Sequence, residues 1–243
     1  MDLHLYHAEP LANSLKCLIA LHEKELPFES HYVNLQKFEQ TRPEFVAINP
    51  EGQVPVLVHD GAAVNHSSVI NEYLDDAFPE TLALRPADAL SLARMRAWNK
   101  FVDEEVMPFV SIMGWHKHVG AEARKLSDEA FEEFIAKVPL QEQKTKWRTA
   151  RAGFSEDVLA NARRKVRIAV DRVEAQLEQT EWLAGTTYSL ADINYFAHCF
   201  ASLARLFPEF DDAYPRATGW AERMKARPGV QRALAMPNMR GKD

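Results

Sequence analysis

Residues 49–57 read NPEGQVPVL, and the placement of Pro55 within them decides how the rest of the chain is organised. Proline has no N–H for a sheet ladder, so one that opens a strand after a glycine turn belongs at an edge or in a special turn. A cis Val54–Pro55 bond would leave the Val54 N–H and C=O free to pair with an extended ligand. Only about 5–6% of X–Pro bonds are cis, so the stretch has to be read with its neighbours. Downstream, "VPVLVHD" (54–60) is a short β-branched strand ending at the turn pair Asp60-Gly61, and "AAVN" is its return strand, which together make a β-hairpin. "SSVINEYLDDAFP" then reads as a helix, with Val69, Ile70, Tyr73, Leu74 and Ala77 spaced for one buried face and Pro79 at its stop. Upstream, "LHLYHA" (3–8) and "FESHYVNL" (28–35) alternate as half-buried strands do, on either side of the helical "PLANSLKCLIALHEKE". The first 80 residues therefore run β-α-β, a loop, then β-β-α.

From about residue 88 the character changes. "ALSLARMRAWNKFVDEEVMPFV", "DEAFEEFIAKV", "EDVLANARRKVRIAVDRVEAQLEQ" and "SLADINYFAHCFASLARLF" all carry helical periodicity, and no further strand stands out. The junction "FPETLALRPADA" has two prolines, as a linker should. The expectation is an α/β unit over 1–80 and an all-helical unit over 88–243.

Composition excludes several classes of function. The 243 residues carry a formal net charge of -6, which argues against nucleic acid as a partner, since phosphate neutralisation needs clustered Lys and Arg. No apolar run approaches the ~20 residues that span a bilayer, and "MDLHLYHAEP" lacks the basic region of a signal peptide, so no membrane association and a cytoplasmic location are expected. Two cysteines, Cys17 and Cys199, are too few for a disulfide scaffold and suit a reducing compartment. Asn65-His66-Ser67 matches the glycosylation pattern, but a cytosolic chain does not meet that machinery.

The order β-α-β, "NPEGQVPVL", hairpin, "HSSVINEYL" resembles the thioredoxin-like half of a cytosolic glutathione transferase. "YSLADINYF" is similar to the S-x-x-D capping box of that family's helical half, with Ser189 as N-cap and Asp192 three residues on. Such a pair satisfies helix N-terminal donors reciprocally, and losing either member costs about 0.5–2 kcal/mol. More narrowly, "ANSLK", "KFEQ", "INPEGQVP", the long segment "DEAFEEFIAKVPLQEQKTKWRTARAGF" and "YSLADI" together resemble the bacterial β-etherases, which cleave the β-aryl ether bond of lignin-derived compounds with glutathione.

The resemblance assigns roles. Glutathione as cosubstrate becomes a nucleophile only as a thiolate, which donors at a helix N-terminus stabilise. Ser14, with Asn13 as a second donor, is implied for that role; the bland reading of Ser14 is a plain helix cap. Cys17, three residues on, has the spacing of a redox pair whose first member is replaced, and it reads better as a small buried apolar residue. Tyr6 lies within the strand and reads as structural. Gln53, Val54 and Pro55 are implied for the peptide part of glutathione, Ser67 for its γ-glutamyl carboxylate, and Lys37 or Gln40 for its glycyl carboxylate. His66 stands where the family has an acid, so weaker glutathione binding is expected, improved by His66→Glu, with Asp103 of a neighbouring subunit as a substitute charge. Phe109, Met113, Trp115, His116 and Trp147 are candidates to line an aromatic substrate site. His116 and His118 do not face one way on a helix and have no accompanying ligand set, so no metal site is expected there. The implied activity is thiolate attack on the ether-bearing carbon beside a ketone, with a phenolate leaving, in a homodimer. The same fold could instead treat another electrophile, or bind aromatic compounds without catalysis.

Overall fold

A computed structural model describes residues 2–203 and 213–237 of the chain. Strand β1 (Leu3–His7) alternates as its sequence requires: Leu3, Leu5 and His7 are buried, while His4 and Tyr6 are half-buried. It pairs in parallel with β2 (Glu29–Tyr32) through the crossover helix α1 (Ala12–Glu23) and antiparallel with β3 (Val56–His59). A hairpin then returns as β4 (Ala62–Asn65), giving the order β2-β1-β3-β4. Its two turn residues, Asp60 at φ 49° and Gly61 at φ 83°, both lie in the left-handed region that a tight hairpin demands. The alternation places Leu3, Leu5 and Leu57 against α1 and α3 (Ser67–Ala77), and Tyr6, Val56 and Val58 with Phe45 of the short α2 (Pro43–Ile48).

The helical half runs α4 (Ala89–Phe101), a π-helical turn at Val102–Val106, α5 (Met107–Gly114), a second π-helical turn at Trp115–Val119, and α6 (Gly120–Ala123). Then follow α7 (Asp128–Lys137), α8 (Gln141–Ala152), the long α9 (Glu156–Gln179), α10 (Leu190–Leu203), α11 (Pro215–Ala226) and α12 (Pro228–Leu234). Ser127 and Ser155 accept from the N–H three residues on and so start α7 and α9. Helix α1 is buried from Ser14 to Leu21 because it lies between the sheet and α10 and α12. One apolar core consequently runs through both halves.

Two expectations change, and a third is not tested. Val69 is 55% exposed and lies outside the buried face of α3. The segment read as one helix over 89–110 is interrupted by the π-helical turn, whose extra residue shifts the faces of everything beyond it. The end of "SLADINYFAHCFASLARLF" lies outside the described residues. The capping box forms, more deeply than a surface cap: Ser189 and Asp192 are both fully buried. Asp192 accepts from Ser189 N–H (3.0 Å) and its hydroxyl (3.2 Å), and also from Leu183 N–H (3.0 Å) and Trp220 Nε1–H (2.9 Å).

Candidate active site

The N-termini of α1 and α3 meet. Ser67 Oγ donates to Asn13 Oδ1 at 3.2 Å, tying the two helix starts together. Each start is preceded or opened by a non-glycine residue in the left-handed region, His66 at φ 65° and Ala12 at φ 47°. Strain of this kind persists where the surroundings hold it, and it clusters at ligand sites. Ser14 is not the cap of α1; that position is Leu11, which makes no side-chain cap. Its buried hydroxyl instead accepts the Ala8 N–H at 3.1 Å from the end of β1. That bond occupies a lone pair and leaves the hydroxyl proton to give away.

The third wall is NPEGQVPVL. The Val54–Pro55 bond is cis, and the Val54 backbone makes no hydrogen bond among the described residues. Asn49, which the sequence reading passed over, organises the loop from a buried position. Its Nδ2 donates to Gln53 O (2.8 Å) and its Oδ1 accepts from Glu51 N–H (3.1 Å) and Asn65 Nδ2 (3.2 Å). Glu51, also missed, places Oε1 3.7 Å from Nε2 of the exposed His66. A carboxylate therefore stands beside the position where the family acid is replaced. Gln40 is buried with its Oε1 unpartnered among the described residues, whereas Lys37 is exposed.

Asp103, expected to serve the site of a neighbouring subunit, is tied into its own chain. Both of its oxygens are engaged within its own chain, Oδ1 by Lys16 Nζ at 2.8 Å and Oδ2 by the Ser68 hydroxyl at 2.6 Å. Burial would raise its pKa, but the Lys16 charge and these bonds hold it below the ordinary value. Lys16 is itself almost wholly buried, and His198 behind it is kept neutral, its pKa down to about 3 through burial and the nearby ammonium. The Cys17 thiol is fully buried and pushed up to about 12, which removes it as an exchange nucleophile.

Helices α7 and α8 close over the loop. Phe38, at φ 56°, stacks on Phe134 with ring centroids 3.7 Å apart and meets the edge of Trp147 at 5.6 Å. Gly52, at φ 62°, comes so near Pro139 that a Cβ there would lie 3.1 Å from its ring. Trp147 packs edge-to-face on Trp115 at 5.0 Å. His116 faces Phe154, with its buried Nδ1 unpartnered among the described residues. Phe109 is half-buried, while Met113 sits inside the main core as a filler. Beside this aromatic group, Lys146 Nζ donates to Ser111 Oγ at 2.8 Å and lies 4.3 Å from the Trp115 ring centroid. It has no ion-pair partner among the described residues, and burial brings its pKa down to about 8.

The model of the glutathione S-transferase N-terminal domain matches residues 12–77, and that of the C-terminal domain matches 101–228. This chain belongs to the glutathione S-transferase family. Glutathione is its cosubstrate. Protein LigF of Sphingobium sp. strain SYK-6 is 46% identical over 237 residues, covering 95% of this chain and 92% of that protein. The crystal structure of β-etherase LigF superposes with a TM-score of 0.93 over 98% of this chain and 100% of LigF, at 45% identity. Glutathione S-transferase 3 of Zea mays is 28% identical over 237 residues, 96% of this chain and 93% of its own length. The crystal structure of transferase F7 of Populus trichocarpa reaches a TM-score of 0.74 at 25% identity, over 96% of this chain and all of that one. Among the described residues no helix is long and apolar enough to cross a membrane.

Proposed function

We propose that this transferase cleaves β-aryl ethers of lignin-type aromatic ketones, as the β-etherase name of its relative LigF suggests. The observation that carries the reading is the Ser14 hydroxyl: one of its lone pairs is taken by Ala8 N–H, and its proton stays available for an anion at the start of α1. Ser14 donates to the glutathione thiolate and Asn13 supports it. Ser67 at the start of α3 takes the γ-glutamyl carboxylate, where a helix N-terminus favours an anion. The free Val54 backbone and Gln53 hold the peptide, with Pro55 fixing the bend, and Gln40 serves the glycyl end better than exposed Lys37. Glu51 holds the α-ammonium next to His66.

The thiolate sulfur forms a bond to the ether-bearing carbon, activated by the adjacent carbonyl. The carbon–oxygen ether bond breaks and its electron pair leaves on the phenolate, which takes up a proton. The products are a glutathione thioether and a phenol. Phe109, Trp115, His116 and Trp147 line the aromatic site, and the Lys146 ammonium stabilises oxyanion charge as the phenolate departs. A homodimer in the cytoplasm completes the reading. Exposed Val69 on α3 and Leu90 on α4, at 55% and 62%, are the apolar side chains assigned to contact with a second copy, and both cysteines are free and buried, as a reducing compartment allows.

Incubation with glutathione and a β-aryl ether ketone, followed by mass spectrometry, tests the reaction. Equal amounts of phenol and glutathione thioether are expected; no turnover of ketones bearing either configuration at the ether carbon refutes the substrate class.

A further inference from the structure

The face of the sheet turned towards α2, opposite α1 and α3, carries a second cluster. In the parallel pair, His4 stands opposite Glu29 and Tyr6 opposite His31, and period-2 alternation brings His4, Glu29 and His31 to one side. His4 Nδ1 lies 2.8 Å from His31 Nε2 and 3.5 Å from Glu29 Oε2, while His31 Nε2 lies 3.3 Å from Glu29 Oε1. Ligand atoms about 2.0–2.1 Å from a tetrahedral metal ion are about 3.3 Å from one another. The two Glu29 distances run to different oxygens, and the three ligand atoms fall within 4.8 Å of one another. Reaching that triangle needs one carboxylate oxygen to turn towards both rings and the imidazoles to part by about half an ångström.

The protons are decisive. A carboxylate can only accept, so Asp2 Oδ1, 2.8 Å from His4 Nε2, assigns the proton of neutral His4 to Nε2. His4 Nδ1 is then an acceptor, facing His31 Nε2 and the Glu29 carboxylate. A single proton, on His31 Nε2, is left to satisfy several lone pairs. A carboxylate on the far nitrogen of a histidine is also the arrangement that orients metal-ligating imidazoles. Tyr6 holds the other ring, stacked on His31 with centroids 4.5 Å apart and planes 12° apart.

We propose that His4, Glu29 and His31 form a binding site for a borderline divalent transition-metal ion of the Zn²⁺, Co²⁺ or Ni²⁺ class, oriented by Asp2. Two imidazoles and one carboxylate favour such ions over Mg²⁺ and Ca²⁺, which prefer oxygen. The fourth position is open to water. The ion clamps edge strand β2 to β1, on the opposite side of the sheet from the helix starts of the candidate active site, and takes no part in ether cleavage.

The test uses tag-free, chelator-stripped protein titrated with Zn²⁺ by calorimetry and with Co²⁺ by absorption. Expected are one equivalent per chain, the visible bands of tetrahedral Co²⁺, and no response to Mg²⁺ or Ca²⁺. Glu29→Gln, at an exposed position, and His31→Ala each weaken binding at least tenfold, and Asp2→Asn about tenfold. Undiminished glutathione binding verifies that these variants fold. Equal Zn²⁺ binding by wild type and both ligand variants overturns the proposal, as does a wild-type site that fails to fill below ~1 mM zinc.

Discussion

Ser14 shows what a single hydroxyl contributes at the residue scale. Ala8 N–H occupies one lone pair and leaves the proton as a donor that can lower the thiol pKa of bound glutathione. Ser14→Ala is expected to lower kcat/KM about 10²-fold and to raise the pKa of bound glutathione, read from thiolate absorption, while leaving affinity for aromatic ligands unchanged. A wild type without turnover, whose affinity for aromatic ligands the substitution leaves untouched, would favour the ligand-binder reading. Glu51 revises the expectation for His66. With a carboxylate already 3.7 Å from the imidazole, Glu51→Gln should weaken glutathione binding several-fold, and adding His66→Glu to that variant should restore it. Calorimetric affinities for the two variants check this; a Glu51→Gln protein that binds as well as wild type removes Glu51 from the site. Neither Asn49 nor Glu51 could be singled out from NPEGQVPVL, because their partners Asn65 and His66 lie across the hairpin and only the fold brings them near.

Elements were legible where their pattern is local. The period-2 strands, the β3–β4 turn at Asp60-Gly61 and α9 all follow from spacing, and the Ser189–Asp192 box is readable in four residues. Its depth was not, since Leu183 and Trp220 join only through tertiary packing. Asp192→Ala strands those buried donors, so its cost should exceed ~2 kcal/mol, seen as a Tm drop of roughly 4–8 °C for a chain this size. Burial raises the Asp192 pKa to about 6. The acid is thus harder to ionise folded than unfolded, and its contribution declines as pH rises from the ordinary carboxylate range through about 6. The π-helical turns were invisible to periodicity, and they set the direction of Asp103, Trp115 and His116. Helix α8 brings Lys146 to Ser111, 35 residues away. If its charge assists the leaving group, activity falls as pH rises through about 8, and Lys146→Met lowers kcat and abolishes that limb. The sign for stability is opposite: an ammonium that is costly to bury makes the fold gain stability between about 8 and the ordinary value of 10.5. A pH–rate profile with no descending limb near 8 in the wild type excludes the Lys146 role.

For the whole molecule, the two halves are joined by more than the shared core. Lys16 of α1 and Asp103 of the first π-helical turn form a largely buried pair between them, and Arg227 before α12 bonds Glu23 of α1. Each pair has one partner almost fully buried and the other part-exposed, so removing either partner strands a charge between the halves, and the halves should melt together. The exposed Val69 and Leu90 predict association: Leu90→Glu should convert a dimer to a monomer in analytical ultracentrifugation, and a wild type that sediments as a monomer refutes the apolar-face assignment. The fold class was legible across the full length because it rests on the order of local patterns. The distribution of contacts over α6–α8 was not, because Phe38 meets Trp147 and Gly52 meets Pro139 only once the chain has closed on itself.

The approach of Gly52 to Pro139 carries a consequence for engineering this protein. With φ at 62° and a Cβ only 3.1 Å from Gln40 O and the Pro139 ring, residue 52 is keyed to the junction between α7 and α8 that covers it. Segment 120–155 is therefore not a detachable cassette. Grafted onto another transferase scaffold, it would seat only where the recipient's loop carries a glycine at this point and an aromatic residue in the place of Phe38. Recombination between distant relatives should accordingly succeed when loop and cover are exchanged as one unit and fail when either travels alone.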